Sequence, residues 1–390
     1  MSMSQVGLGL VSLPLALGGY AYLGYPTLLR AVGLGRPPRT ADSDPQEWPS
    51  ITIVLPAYNE ARTIRRTLEN LLAVEYPPAR RQILVLSDAS TDGTDDIVRE
   101  FADRGVDLLR MPSRIGKTAA ENAAIPAIRG ELVVNTDATI RILPGSLKPL
   151  IRSFQDETVG VASGRDISVG DLNAESTGGE SGYVGYEMWV RGLETRVGSI
   201  VGSSGCFYAI RRHLHAAPVP PELSRDFASA LTAREHGLRA VSVDAAVCLV
   251  PRTPSLMREY RRKIRTMARG LGTLWYKRHL LNPIRYGAFA WMLWSHKLVR
   301  WLVFLAAPLA LIGLALLSVE SPWGRALLGA AAVGIGAGVF AMRAPEARPL
   351  PKLVALCGFV LASHLAGLTA WLRFFAGKQQ AVWEPTRRPS

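Results

Sequence analysis

Three aspartates, Asp88, Asp137 and Asp226, fall just beyond strand-like runs or at the start of a helix-like one. In a parallel α/β sheet, strand C-termini and helix N-termini gather the ligand, and Asp88 and Asp137 occupy such positions. A nucleoside diphosphate brings phosphate charge, and Mg²⁺ or Mn²⁺ takes carboxylate oxygens beside it. Asp137 is the candidate metal ligand. Asp88 is a candidate acceptor for a hydrogen bond from a base or ribose, and Asp226 a candidate base for an incoming hydroxyl. Taken singly, an aspartate at such a junction is more often a helix cap. Lys117 follows Gly116 directly before a helix, where ammonium and helix N-terminus both attract phosphate. The pattern GxxxxGK[ST] is absent, so this is no P-loop, and a solvated surface lysine is the alternative. Arg258, Arg261, Arg262, Arg265 and Arg269 recur at three- and four-residue steps. That basic helical face can neutralise a diphosphate or lie on a lipid surface.

The elements that must position these groups alternate along the chain. Ile51 to Leu55 reads as a buried strand stopped by Pro56, and Asn59 as the cap of a helix through Leu72. Ile83 to Ser87 leads to Asp88, with Thr91 or Asp92 capping a helix that ends near Gly105. Val106–Leu109, Leu132–Asn135 and Val159–Ser163 read as strands, and Thr118–Ile128 and Ser146–Phe154 as helices. This β-α-β-α order predicts a mostly parallel sheet with helices on both faces. The Gly-, Ser- and acid-rich stretch from Gly164 to Gly185 reads as a mobile loop. Helical sequence resumes over Tyr186–Arg196. A tight loop at Gly202–Gly205, a strand at Cys206–Ile210, a helix from Asp226 through Ala233 and a strand at Arg239–Val243 follow.

The 390 residues carry a formal charge of +13, and twelve of the Lys and Arg lie between Pro251 and Arg300 against one acid, Glu259. A basic block fits nucleic acid or an anionic membrane surface, and apolar spans toward both ends decide for lipid and against nucleic acid. Val6 to Leu29 is long enough to cross a ~30 Å hydrocarbon core. It lacks the positive n-region of a signal peptide and ends in tyrosines, so it reads as a retained transmembrane helix. Arg30, Arg36 and Arg39 then place the following domain in the cytoplasm, on an inner, multi-pass membrane protein. Leu256–Lys277 reads as the basic helix and Tyr286–Trp301 as interfacial, before spans at Leu302–Val319, Ala326–Met342 and Leu353–Leu372. The basic loop Arg343–Lys352 and the basic tail from Arg373 both favour the cytoplasm, although a span separates them; four spans are the expectation. Cys206, Cys248 and Cys357 show no ligand spacing or disulfide framework, and His213, His215, His236 and His279 have no paired carboxylate in sequence. The domain reading is residues 1–34 membrane helix, 35–50 linker, 51–255 catalytic domain, 256–301 basic and interfacial helices, 302–375 spans and 376–390 basic tail.

Several motifs carry a family resemblance. Ile53-Val54-Leu55-Pro56-Ala57-Tyr58-Asn59-Glu60 resembles the opening strand and turn of family 2 glycosyltransferases of the GT-A fold. Ser87-Asp88-Ala89-Ser90-Thr91-Asp92-Gly93-Thr94 resembles their second signature, and Arg114-Ile115-Gly116-Lys117 their Gly-Lys loop. Order and spacing agree from Ile51 to Gly270, and Ser295–Trp301 at the head of a span is similar to the membrane-bound branch that makes exopolysaccharides and cell-envelope glycans. The resemblance implies a Rossmann-like mixed, mostly parallel sheet flanked by transmembrane helices. It implies that Pro56, Ala57, Tyr58, Glu60, Asp88, Lys117 and Asp137 bind a nucleotide sugar, with Asp88 on the base, and that Asp137 meets the diphosphate and a Mg²⁺ or Mn²⁺. Ser204 and Gly205 would lie in the acceptor loop, Asp226 would be the catalytic base, and Arg262 and Arg265 would stabilise the diphosphate.

The sequence departs from the family pattern in three places. Asp137-Ala138-Thr139 replaces Asp-x-Asp, Arg225 stands where a Glu precedes the base, and Arg262-Lys263-Ile264-Arg265-Thr266 lacks the Gln and Trp of processive synthases. The expected activity is transfer of a sugar from a nucleotide sugar, UDP-linked, to a lipid-linked or polysaccharide acceptor, with inversion and without processivity. A processive synthase that secretes its product is the alternative within the class. A non-catalytic membrane scaffold with a decayed site is the alternative outside it.

Overall fold

The computed structural model describes residues 2–35, 43–169, 182–251, 255–345 and 350–377. These form two compact units, one containing 2–31, 255–272 and 281–377, the other the described residues of 32–251 and 273–280.

The second unit is built on one eight-stranded sheet: β1 (Ile51–Ala57), β2 (Arg81–Ser87), β3 (Val106–Arg110), β4 (Leu132–Thr136), β5 (Arg141–Ile142), β6 (Val159–Val169), β7 (Phe207–Arg211) and β8 (Arg239–Pro251). The order is β3-β2-β1-β4-β7-β6-β8-β5. The strands β3, β2, β1 and β4 are mutually parallel, as is the pair β6–β8, while β7 runs antiparallel to both its neighbours and β5 antiparallel to β8. Alternate residues serve opposite faces. Ile53 and Leu55 join a core with the helix Ile64–Ala73, whereas Val54 packs on the other face with Ala120 and Ala124. Both faces are covered, and β1, β2 and β4 accordingly read as near-continuous apolar runs. Gly130 permits a close crossing before β4: a Cβ there would lie 2.3 Å from Thr52 N and 2.4 Å from Ile51 C.

The mixed, mostly parallel sheet matches the sequence expectation, with local differences. Strand β1 does not stop at Pro56 but runs to Ala57. Its pairing with β4 ends at Val54, so the missing proline N–H falls beyond that ladder. Asn59 does not cap a helix; it sits at φ 54°, and the helix begins at Ile64 after Thr63. Gly93, at φ 90°, precedes the helix Thr94–Arg99, with Asp92 Oδ1 accepting from Thr94 N. The helix expected to run to Ile128 is Lys117–Ala123, followed by a short 3₁₀ turn containing Pro126. Gly164–Val169 continues β6 rather than opening a loop, because β8 also runs on and pairs with it to Val169↔Pro251. The rest of the expected loop, 170–181, lies outside the described residues, and a helix starts at Gly182.

Among the described residues, four stretches are long and apolar enough to cross a membrane, and they make up most of the other unit: Met3–Val32, Ala288–Glu320, Pro322–Arg343 and Lys352–Phe375. The segment read as interfacial over Tyr286–Trp301 largely belongs to the second of these, joined through a π-helical turn at Trp294–Val299. A matching π turn, Tyr20–Gly24, interrupts the first. Tyr20 OH lies 2.7 Å from Ser295 Oγ and accepts from Trp291 Nε1 at 3.0 Å. Gly7 and Gly313 let the two helices touch through backbone, since a Cβ on Gly313 would meet Gly7 O at 2.6 Å.

Gly130→Ala is expected to lower stability by about 1–3 kcal/mol or more, because backbone rather than a side-chain tip must move. Thermal unfolding of the purified chain measures it.

Candidate active site

The C-terminal ends of β1 and β2 carry two loops that bond to each other. Asn59 N donates to Ser90 Oγ (3.2 Å), Glu60 N to Thr94 Oγ1 (2.9 Å), Ala61 N to Asp92 Oδ2 (3.0 Å) and Thr91 N to Asn59 Oδ1 (2.8 Å). Burial opposes the Asp92 charge, but Thr94 and the Ala61 and Thr94 amides outweigh it and hold its carboxyl below the usual range. Asn59 and Ala89 both have positive φ, 54° and 59°, a conformation that costs a non-glycine residue about 1–2 kcal/mol. Asp88, 6% exposed, follows β2. Its Oδ1 accepts from Ile115 N at 2.7 Å and its Oδ2 from Gly116 N at 2.9 Å. The Arg114 guanidinium lies 4.0 Å above the Tyr58 ring.

Gly116, at φ 90°, turns the chain into the helix Lys117–Ala123. Lys117 Nζ then lies 2.6 Å from Asp137 Oδ1, just past β4, and 3.5 Å from Gly205 O. The antiparallel pairing Thr136↔Phe207 brings the loop before β7 to the end of β4. That loop is framed on three sides. Ser203 Oγ donates to Asp226 O (2.5 Å), Ser204 N to Ser163 Oγ (2.8 Å) and Ser204 Oγ to Asp166 Oδ1 (2.6 Å). Gly205 leaves room for Asp226: a Cβ would stand 3.1 Å from its Oδ2. Asp226 Oδ1 accepts from Ser224 Oγ at 2.7 Å. The helix Arg225–Glu235 that carries Asp226 is braced at both ends by the segment 273–280. Ser224 N donates to Thr273 Oγ1 (3.0 Å), and Glu235 pairs with Lys277 and, at 2.8 Å, with His279 Nε2.

Burial works against the Lys117 charge, yet Asp137, Glu121 and Asp226 outweigh it and hold the ammonium well above its ordinary range. Under this surface lies a buried polar layer. Glu121 is 1% and Arg225 4% exposed, with Glu121 Oε2 3.5 Å from Arg225 Nε. Arg225 also donates to Asn122 Oδ1 and to His215 O. Burial raises the Glu121 carboxyl above its usual range, against the opposing pull of Lys117 and Arg225. Burial likewise raises Asp166, opposed by Arg191, Ser204 and Cys248.

Comparison with known proteins assigns a family to one domain of the chain. Residues 52–216 match the model of glycosyl transferase family 2. The chain carries a family 2 glycosyltransferase domain. Over 214 residues it is 28% identical to a beta-monoglucosyldiacylglycerol synthase of Nostoc, covering 52% of this chain and 46% of that one. Over 133 residues it is 32% identical to the succinoglycan biosynthesis protein ExoO of Rhizobium meliloti, covering 34% and 36%. The chain thus spans less than half the length of these curated relatives. Among solved structures, the mannosyltransferase PcManGT of Pyrobaculum calidifontis, in complex with GDP-Man and Mn²⁺, superposes with a TM-score of 0.74 at 22% identity, over 97% of this chain and all of that one. That likeness establishes the GT-A fold.

Within the glycosyltransferase domain, the structure gathers Lys117, Asp137, Gly205 and Asp226 around one point, and Asp88 and Ser204 tie in the loops that present them. Pro56 and Ala57 end β1 beside them, with Tyr58 under Arg114. Glu60 Oε2 accepts from Thr63 Oγ1 at 2.7 Å. Arg262 and Arg265 belong to the other unit, on the helix Leu256–Tyr276, where Arg262 Nε donates to Glu259 at 2.8 Å. Among the described residues no three His, Cys, Asp or Glu side chains converge as a metal cage. Asp137 offers one partly exposed carboxylate, which fits a hard cation that keeps waters and binds substrate phosphates. Sequence reading missed Glu121, Ser163, Asp166 and Arg191. Glu121 carries one signal: four residues after Lys117, it shares a helix face with it.

Asp88→Asn removes the charge from an acceptor of two backbone N–H groups. The expected loss is about 1.5–3 kcal/mol per bond at most, read as a lower unfolding midpoint. His215 is buried, and its pKa is lowered to about 3, first by burial and then by Arg225. A base whose folded pKa lies below its unfolded value of 6.5 stabilises the fold above pH 6.5. Stability is therefore expected to fall as the pH drops from 6.5 toward 3, and His215→Gln to lose part of that acid sensitivity in unfolding measured across pH.

Proposed function

We propose that this chain transfers a sugar, with inversion, from a nucleotide sugar to an acceptor held at the membrane surface. The observation that carries the reading is the convergence of Lys117 and Asp137 on the donor side with Asp226 behind the Ser203–Gly205 loop. In this reading the joined loops at Asn59 and Thr91 hold the nucleotide, with Asp88 toward the base. The Lys117 ammonium, kept charged by its carboxylate neighbours, meets the departing diphosphate. Asp226 takes the proton from the acceptor hydroxyl as it attacks the anomeric carbon. A divalent cation, Mg²⁺ or Mn²⁺, held by Asp137 and the donor phosphates would supply further neutralisation of the leaving group. Fixing two bound substrates supplies much of the remaining acceleration.

The four apolar helices support a membrane location, with the transferase domain in the cytoplasm and a lipid-linked or polysaccharide acceptor. Arg262 and Arg265 would serve the diphosphate from the basic helix. Loss of the Gln and Trp around Arg262–Thr266 supports addition of one or a few sugars over processive synthesis. UDP is the nucleotide we favour.

A donor screen on the detergent-purified chain tests this. Nucleoside diphosphate release is measured for UDP-, GDP- and other nucleotide sugars, with and without Mn²⁺ or Mg²⁺. Release from one donor, rising with metal and with a lipid acceptor, is expected. No release from any donor would sink the transferase reading in favour of a scaffold, and long polymer would sink the non-processive one. Asp226→Asn is expected to lower kcat by about 10²–10⁴-fold while nucleotide binding persists.

A further inference from the structure

Glu121 is a buried carboxylate to which the mechanism above gives no contact with substrate. It lies on the helix Lys117–Ala123, 1% exposed, one turn beyond Lys117. Its Oε2 faces Arg225 Nε at 3.5 Å, and neither atom makes a hydrogen bond. The other two Arg225 nitrogens are fixed, NH1 to His215 O at 3.2 Å and NH2 to Asn122 Oδ1. Asn122 is itself held, donating to Val219 O at 2.7 Å and accepting from Val219 N at 3.1 Å. Arg225 is thus held by Glu121 and Asn122 of the neighbouring helix and by the His215 carbonyl, and the next residue is Asp226. Tyr208, buried on the same face of the sheet as Ala120 and Ala230, senses both charges: burial raises its hydroxyl, Glu121 adds to this, and Arg225 opposes it.

A buried guanidinium next to the base needs a counter-charge. Asp226 cannot supply it without losing its task, and its Oδ1 already accepts from Ser224 Oγ. Glu121 supplies it from another helix, and the same carboxylate adds to the field that keeps Lys117 charged. We infer that Glu121 is a positioning residue for transfer: acting through Arg225, it sets where the Asp226 carboxylate stands relative to Lys117. One side chain thereby ties the helix that faces the donor to the helix that faces the acceptor. The inference rests on the transferase reading for its kinetic consequence, while the Glu121–Arg225 coupling stands apart from it.

The experiment uses the full chain in detergent, with Glu121→Gln, Arg225→Gln, the double variant and Glu121→Asp. Thermal unfolding of the first three forms a cycle. A buried pair predicts that each single variant unfolds at lower temperature and that the double variant regains much of the loss; additive losses would overturn the pair. Transfer kinetics and UDP binding in the presence of Mn²⁺ test the positioning role. Glu121→Gln is expected to lower kcat by about 100-fold with UDP affinity and donor KM nearly unchanged, and Glu121→Asp to restore part of it. The double variant is expected to recover stability without recovering kcat. Recovery of kcat in step with stability, or wild-type kcat in Glu121→Gln, would overturn the positioning role. A wild-type chain inert toward every donor would instead overturn the transferase reading, leaving the unfolding cycle to judge the pair.

Discussion

The site hangs on one carboxylate and two backbone amides. Asp88 leaves the end of β2 and accepts from Ile115 and Gly116, which fixes the entry to the Lys117 helix. The next residue is Lys117, and its ammonium reaches Asp137 at the end of β4. Two strands that do not touch, separated by β1, are therefore locked at their functional ends through side chains rather than through the sheet. A carboxylate suits this task because it offers two acceptors to two N–H groups that no strand or helix partner would satisfy. Asp88 thus has a structural duty apart from any contact with a nucleotide.

The electrostatic character of the site follows from that arrangement. Lys117 and Arg225 stand among Asp137, Glu121, Asp226 and, further along the strands, Asp166. No single pair would justify burying so many charges, since removal from water costs each ion several kcal/mol. Interleaving the signs keeps the ammonium charged. Burial raises the Glu121 carboxyl, and Lys117 and Arg225 on either side pull it back down.

Much of the architecture was legible because a two-face-covered sheet writes its strands as apolar runs. β1, β2 and β4 announced themselves, and so did the aspartates just beyond them. β6 and β8 were read too short. Arg165, Asp166 and Ser168 interrupt the apolar pattern, and only the mutual pairing of two long strands carries them onward. The zipper between Asn59 and Thr91 could not be seen from local sequence, because its partners lie some thirty residues apart and Asn59 looks like an ordinary cap. Glu121 was hidden for a different reason. A Lys and a Glu four apart on a helix usually mark a solvated face, and only the arrival of Arg225 from another helix turns that face inward.

The brace across the helix Arg225–Glu235 bears on where the catalytic unit ends. The last strand closes at Pro251, and a boundary drawn there looks natural on the page. Yet Thr273, Lys277 and His279 return, after a detour through the helical unit, to hold both ends of the helix that bears Asp226. The fold is discontinuous in sequence. A water-soluble version made by cutting after the sheet would leave that helix unpinned at its two ends, so solubilisation calls for splicing Thr273–Leu280 back on rather than for truncation.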